Sequence, residues 1–507
     1  MHAQFNSKKI KNSYMIQGGL QRMKSAIKIP SLIFLVSGTL LLTCLLVGPI
    51  LTITRHIPLN YNEGWNAYLA ARAIKADPTL PLYPQTGSMV FNNYPPLSFL
   101  LIGFIGHLSG DMIVSGRCVA LFSQMSCAFL IACCIVRMGG TRTGAIAGGL
   151  LAALYSTISF HGYVAINDPQ WLANMIMLGG LTVLLPAEPL SPRRVICAAL
   201  LIAAGGFVKH NLLALPLSIS LWLAWKDRRA FLIWCTTGAV AVAAGFLLST
   251  ALYGPAFLVD VLHHPRTYSL QGLARGLGKL VELTGLIISA YLILACPATS
   301  PQQRSSRLFV TLFLTVALIT GLFQRLGAGV TYNAHFETLL AASLGAGLVL
   351  SRSSRIAFAA LCLSVGPLLA LAPSQIAQEI RSIRNLQTST AEWQDVVTRI
   401  RATPGPVACE TLALCYWAGK DEEVDFFNLT QAILAHQGTY PFVAIVQRHG
   451  FRLIQIDRTV RRQDELSPET GRQPLIDAFN TAGYTPFFTG PVFNGPGRIV
   501  IFSPPLR

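Results

Sequence analysis

Tyr94-Pro95-Pro96-Leu97-Ser98-Phe99-Leu100-Leu101-Ile102-Gly103-Phe104-Ile105-Gly106-His107-Leu108-Ser109 decides how the whole chain is threaded. The run 95–109 is apolar, yet it supplies only ~22 Å of helix at 1.5 Å per residue, against a bilayer hydrocarbon core of ~30 Å. If it crosses a membrane, every later loop changes side. Taken as non-spanning, it puts the basic tail 1–30 on the same side as Arg137, Arg142, Arg193, Arg194, Lys226, Arg228, Arg229, Arg304, Arg307, Arg352 and Arg355, which gives 17 cations inside and nine outside. Taken as spanning, it divides the cations 12 to 14. Basic residues in short loops stay on the cytoplasmic side, so 95–109 is read as an interfacial or re-entrant helix on the outer face.

Composition supports a membrane setting. Of 507 residues, 52% are hydrophobic and 12% charged, with a mean hydropathy of +0.51; a soluble chain carries roughly twice that charged fraction. Residues 31–54 form a long apolar run behind a basic tail, the pattern of an uncleaved signal anchor with a cytoplasmic N-terminus. Ten further runs follow at about 117–136, 143–160, 169–186, 195–208, 212–225, 230–253, 277–297, 307–324, 330–350 and 355–373. The expected architecture is therefore an α-helical polytopic membrane protein with eleven transmembrane helices, a basic tail 1–30, a membrane domain 31–373 with a large outer loop 55–94, and an outward-facing C-terminal domain 374–507. The membrane part holds 26 Lys+Arg and nine acids, the remainder 13 of each. The cations lie in short loops and form no stripe, which sets nucleic-acid binding aside.

From Leu386 the pattern becomes one of polar helices and short strands. Val407–Glu410, Val424–Phe427, Arg452–Ile456, Pro486–Phe488 and Arg498–Phe502 read as strands, and Leu429–His436 and Pro474–Ala482 as helices, so a small α/β domain is expected. No nucleophile elbow, P-loop or dinucleotide fingerprint occurs in it, and it reads as dispensable for a chemical step. Nine of the eleven Cys lie in or beside apolar runs and behave as small hydrophobes. Cys409 and Cys415 stand apart and can pair in an oxidising compartment.

Three polar segments fall on the outer face. The first is Asn60-Tyr61-Asn62-Glu63-Gly64-Trp65-Asn66-Ala67-Tyr68, followed later by Tyr94-Pro95-Pro96-Leu97. The second is Ile166-Asn167-Asp168-Pro169-Gln170-Trp171, and the third is Thr331-Tyr332-Asn333-Ala334-His335-Phe336-Glu337. In their order and spacing these resemble the outer-face motifs of the GT-C superfamily of membrane glycosyltransferases, and they are similar to its bacterial Rgt-like branch. Many relatives have Asp-Glu where this chain has Asn62-Glu63, so only Glu63 carries a carboxylate in the first motif. The resemblance implies transfer of a sugar from a polyprenyl-phosphate donor to a hydroxyl of a glycolipid or polysaccharide acceptor, at the periplasmic face of a bacterial inner membrane. It places Glu63 as general base and Asp168 as the group that orients the acceptor or helps to bind a metal.

Such a reaction needs a base near the acceptor O–H and cations for the leaving phosphate. Candidate phosphate or substrate partners on the outer face are Lys209, His210, Arg117, Arg266, Arg275, Lys279 and Arg325. Lys209 stands out because it interrupts an apolar hairpin, where a lysine can also simply snorkel to the interface. Tyr94, Tyr332, Asn333, His335 and Glu337 are further candidates for binding substrate. His210, His263, His264 and His335 could form a metal set or could be ordinary surface groups; no cofactor is required and a divalent metal is left open. Trp65, Tyr68 and Tyr94 suit either an interfacial aromatic belt or stacking on a sugar. A transporter or lipid flippase, or a membrane scaffold for the C-terminal domain, is the alternative. Transporters place charges near the bilayer midplane and show repeat symmetry, whereas these acids gather at one face without it.

Overall fold

The computed structural model describes residues 30–75, 79–85, 88–185, 190–352, 355–435, 446, 448–458, 479–492 and 498–504. Nearly all of the basic tail, the acids Asp77 and Glu188 and most of the expected helix Pro474–Ala482 lie outside them. Among the described residues, six helices are long and apolar enough to cross a membrane by length and composition: Pro30–Thr52, Met112–Arg137, Arg228–Tyr253, Leu270–Ala295, Pro301–Gln324 and Arg355–Arg384. The chain is a multi-pass membrane protein.

The other five runs read as spans are helices of 13 to 17 residues: Arg142–Ile158, Gln170–Leu184, Pro192–Val208, Ala214–Lys226 and Phe336–Leu350. At 1.5 Å per residue these reach ~20–26 Å. Arg142–Ile158 and Phe336–Leu350 are buried along almost their whole length. They touch through glycine: a Cβ on Gly347 would lie 3.0 Å from the Gly144 carbonyl. Small residues of this kind let apolar helices pack backbone to backbone where no hydrophobic drive from water exists.

The helix Leu97–Ser109 lies along the first-loop helix Asn62–Lys75. Gly103 makes this approach tolerable, since a Cβ there would overlap the Ala70 carbonyl. Both ends of the helix meet the same group of elements. Ahead of it, Tyr94 packs edge-on against Trp65 at 5.0 Å. Behind it, Trp417 Nε1 donates to Asp111 (3.2 Å) and the Met112 N–H to Tyr416 Oη (3.1 Å), both partners belonging to the C-terminal part of the chain.

The last apolar helix runs on past residue 373, through Pro367 and Pro373 to Arg384, and Leu386–Ala402 follows. Beyond it is a four-stranded sheet of β1 Val407–Cys409, β2 Leu453–Arg458, β3 Thr485–Val492 and β4 Arg498–Ser503, in the order β1-β2-β4-β3. β1 and β2 are parallel and the other pairs antiparallel. The α/β reading therefore describes this region, with one correction. Val424–Phe427 is not a strand: Asp425 caps a helix, Phe426–Leu434, by accepting from the Asn428 N–H at 3.0 Å. A short acidic residue ahead of an amphipathic run is an N-cap signal, and it outweighs the β propensity of two adjacent phenylalanines. Cys409, at the end of β1, forms a disulfide with Cys415 in the short helix Leu412–Trp417.

That short helix seats on the first-loop helix at Gly64, where a Cβ would overlap the Ala413 backbone nitrogen. Around the contact, one apolar cluster joins Trp65, Leu69, Tyr83 and Phe99 of the outer loop to Trp393, Val396, Leu412 and Ile501 of the C-terminal region. Trp65 and Tyr68 are accordingly core residues, and belong neither to an aromatic belt nor to an open sugar platform. The Trp65 Nε1–H donates to the Phe91 carbonyl and the Tyr68 hydroxyl to the Lys420 carbonyl. A chain ending near Leu386 would expose this shared core, so the expectation that the tail is dispensable has no structural support.

Candidate active site

The Asn62–Lys75 helix begins at the first motif, with Glu63 in its first turn. Glu63 and Arg117 are both fully buried. Arg117 Nε and Nη2 donate to the two Glu63 oxygens at 2.7 Å each. Glu63 also accepts from the Leu59 N–H (2.9 Å) and the Asn167 N–H (3.3 Å). Four donors thus meet the roughly four acceptor sites of one carboxylate. The remaining Arg117 donors go to the carbonyls of Thr52, Ile53, Arg55 and Ile57, at the turn where the first span enters the loop. No Arg117 N–H is left for a phosphate.

The second motif sits against this pair. Ala165 has φ +52°, the only positive value among described non-glycine residues, directly before Ile166-Asn167-Asp168. Left-handed backbone at an L-residue costs ~1–3 kcal/mol and persists where its surroundings fix it. Here Asn167 supplies that fixation: its side chain donates to the Glu63 carbonyl (3.1 Å), and its own carbonyl accepts from Asn66 (2.8 Å).

Asp168 follows, 3% exposed. Oδ1 accepts from the Gln170 N–H at 2.9 Å. Lys209 Nζ lies 3.2 and 3.4 Å from its two oxygens, and the half-buried Asn62 amide is 3.4 Å from Oδ2. Three of these four contacts are 3.2 Å or longer, against one of the four made by Glu63. Asp168 is therefore held by weaker contacts than Glu63. Lys209 ends the helix Pro192–Val208 and is itself 1% exposed. Its ammonium rests 4.8 Å from the centre of the Tyr94 ring, a cation–π contact that partly offsets desolvation.

Beside Lys209, His210 is exposed. Partial desolvation by its surroundings and the positive charges of Arg266 and Lys209 lower its pKa from the ordinary histidine value. His264 is likewise lowered to about 4 by burial and by Arg266, and it pairs with Asn428 at 3.0 Å. Arg266 is half-buried and makes no hydrogen bond or ion pair among the described residues.

The third motif lies under Asp168 as support. Gln170 and Asn333 exchange two hydrogen bonds at 2.7 Å. Glu337 accepts from the Ala214 and Leu215 N–H groups and so closes the start of the Ala214–Lys226 helix. Tyr332 lies between the cations of Lys279 and Arg325, 4.9 and 5.3 Å from its ring centre. Lys279 pairs with Glu282 at 2.8 Å, Arg325 donates to the Val330 carbonyl, and Arg275 reaches back to the Gln271 carbonyl on its own helix. His335 is buried against Gly276 and Gly321, while His263 is exposed. The four histidines do not converge, and among the described residues no three His, Cys, Asp or Glu side chains form a metal-binding group.

The sequence reading missed the roof of this site. Tyr61, one residue before Asn62, donates its hydroxyl to Asp425 at 2.8 Å, and the Phe426–Leu434 helix is thereby laid over the loop. Gln431 accepts from the Thr267 N–H and hydroxyl, and Phe427 sits on Gly329. Next to this contact Arg72 meets Glu422 at 3.0 Å, both buried. Burial, opposed by Arg72 and reinforced by Asp425, pushes the pKa of Glu422 up to about 8. A carboxyl raised above its ordinary ~4.3 stabilises the fold fully below that value, and the contribution is lost as pH rises through the folded pKa. Glu422→Gln keeps the shape and cannot ionise. The melting temperature of the wild type relative to this variant is expected to fall between pH 5 and 8; a difference that is flat or rises with pH would contradict the shift.

No protein-family model and no curated protein matches the chain at a significant level. Solved structures do. ArnT from Cupriavidus metallidurans in the apo state superposes with a TM-score of 0.58 at 13% identity, covering 91% of this chain and 97% of that one. The same protein bound to undecaprenyl phosphate gives 0.59 at 12% identity, with 92% and 97% covered. The chain has the GT-C fold. The Archaeoglobus fulgidus oligosaccharyltransferase in its apo form, another structure of this fold, gives 0.52 at 12% identity over 84% of this chain and 69% of that one. The GT-C likeness covers both the membrane helices and the C-terminal sheet domain, and identity this low speaks to fold alone.

Proposed function

We propose that the protein is a membrane glycosyltransferase that moves a sugar from a polyprenyl-phosphate donor to a hydroxyl of an envelope glycolipid or polysaccharide, at the periplasmic face of a bacterial inner membrane. The observation that carries this reading is the Asp168–Lys209 pair. A carboxylate held by long contacts and an ammonium lie together at one end of a GT-C fold, beneath the C-terminal domain. The neighbour with undecaprenyl phosphate bound gives the donor its chemical class. In this reading the N-terminus is cytoplasmic, as the charge distribution requires.

Asp168 takes the proton of the acceptor hydroxyl as its oxygen forms a bond to the anomeric carbon. The bond from that carbon to the phosphate oxygen breaks, and its electron pair leaves on the phosphate. A phosphate departs as a stable anion, so the site needs positive charge on the leaving side more than a general acid. Lys209 has three N–H donors and reaches from Asp168 towards the leaving group; Arg266 supplies a second cation. Glu63 and Arg117 act as the strut that fixes the first loop, a role different from the base and phosphate ligand expected of them. Comparing envelope glycolipids by mass spectrometry with and without the protein tests the assignment: loss of a single sugar mass is expected, and an unchanged profile would count against it.

A further inference from the structure

Asn333 and Glu337 stand four residues apart in one segment, yet they grip the two different stretches of chain that carry Asp168 and Lys209. Asn333 lies in the 3₁₀ turn Tyr332–His335, and Glu337 in the first turn of the helix Phe336–Leu350 that follows. On one side Asn333 exchanges two hydrogen bonds with Gln170, whose N–H donates to Asp168 Oδ1 at 2.9 Å. On the other, Glu337 Oε1 accepts from the Leu215 N–H at 2.9 Å and Oε2 from the Ala214 N–H at 3.2 Å, where the second arm of the Lys209 hairpin begins.

That arm needs help from outside its own sequence. The helix Ala214–Lys226 starts after Leu213, which has no side-chain acceptor, so its first N–H groups lack a local cap. Glu337 supplies the cap from 122 and 123 positions away, and its charge suits the positive end of the helix dipole. The turn is tied at Asn211, which exchanges two hydrogen bonds with Gln324 at 2.9 and 3.0 Å. The first arm is seated at Gly205, where a Cβ would lie 3.1 Å from the Ala173 carbonyl of the helix that follows Asp168. Lys209 itself has an extended backbone (φ −153°, ψ 111°) and a long flexible stem, so the place of its ammonium depends on how both arms are anchored. Its contacts to the two Asp168 oxygens, 3.2 and 3.4 Å, are longer than the ~2.7–2.9 Å of a close charge-assisted pair.

We infer that Glu337 is a positioning residue for the donor phosphate: by capping the second arm of the hairpin it holds the Lys209 ammonium far enough from Asp168 to keep N–H donors for the phosphate. Asn333 fixes Asp168 from the same segment, so the third motif acts as a spacer between base and cation. Without the cap, Lys209 settles onto Asp168 and its donors are spent there. This inference rests on the sugar-transfer reading, which makes Lys209 the cation of the leaving side.

The test compares the affinity of the full-length protein in lipid nanodiscs for undecaprenyl phosphate and for undecaprenol, which differ only in the phosphate. The wild type should prefer the phosphate about thirtyfold, as expected of hydrogen bonds to a charged group. Lys209→Met and Glu337→Gln should each cut that preference about fivefold or more, and the double variant no further than Lys209→Met alone. Ser218→Ala removes a hydrogen bond within the same helix and should leave the preference unchanged, which separates general loosening of the helix from loss of the cap. An undiminished preference in Glu337→Gln, or losses that multiply in the double variant, would overturn the inference and leave the sugar-transfer reading standing. No preference in the wild type would overturn that reading and the inference with it. Glu337→Asp, which keeps the charge and draws the carboxylate back by one methylene, runs the same cycle if Glu337→Gln fails to fold; it should lower the preference about threefold alone and not at all beside Lys209→Met.

Discussion

Asp168→Asn is expected to lower the rate of sugar transfer ~10²- to 10⁴-fold, the usual consequence of removing a positioned base. The same swap leaves the Lys209 ammonium buried without its counter-charge, so some loss of stability is expected with it. Pairing it with Lys209→Met separates the two effects. The double variant removes both charges and should fold better than Asp168→Asn alone, yet remain inactive. Recovery of turnover in the double variant would mean that Asp168 serves only to neutralise Lys209. Asp395→Asn is the control, since Asp395 pairs with Arg399 on an exposed helix face, and it should transfer sugar at the wild-type rate.

Glu63→Gln should behave in the opposite way. Breaking a fully buried ion pair by removing one partner costs ~3–5 kcal/mol, because the other charge stays behind without compensation. Arg117 would keep its four carbonyls and one contact to the Gln carbonyl oxygen, but would lose the other contact to an NH2 group and with it the counter-charge. A large fall in melting temperature is expected, while the rate per folded molecule stays within about tenfold of wild type, far from the loss caused by a missing base. Equilibrium unfolding and specific activity on the same preparation read both quantities. A variant with wild-type stability and no turnover would return the role of base to Glu63.

The roles proposed for Glu63 and Asp168 differ from those that the resemblance implies, and the reason lies in what a sequence can carry. Composition and the spacing of apolar runs were enough for a polytopic membrane protein, and the cation split placed the motifs on one side; Glu63, Asp168, Lys209 and Asn333 do meet at one end of the fold. Lys209 was visible because a cation interrupting an apolar hairpin is costly without a partner. That partner, Asp168, is 41 residues away. The mutual use of Glu63 and Arg117, 54 residues apart, leaves no periodic signal, so a motif acid and an outer arginine looked equally free. The runs 195–208 and 212–225 already read as short, but 143–160, 169–186 and 330–350 were recognisable as apolar and not as the helices of 15 to 17 residues they form, since helix ends depend on caps and packing more than on hydropathy. The roof was missed for a related reason: Tyr61 and Asp425 are 364 positions apart, and Asp425 was read within a strand when it caps a helix.

The central claim is that the Asp168–Lys209 site cleaves a sugar from a lipid phosphate. The most direct measurement follows purified full-length protein in vesicles with a polyprenyl-phosphate sugar, labelled in the sugar, and an envelope glycolipid extract. One free polyprenyl phosphate should be released for each labelled sugar that appears on the acceptor, and none in Asp168→Asn/Lys209→Met. Labelled donor that crosses the bilayer intact, with no polyprenyl phosphate released, would contradict the claim and favour a flippase.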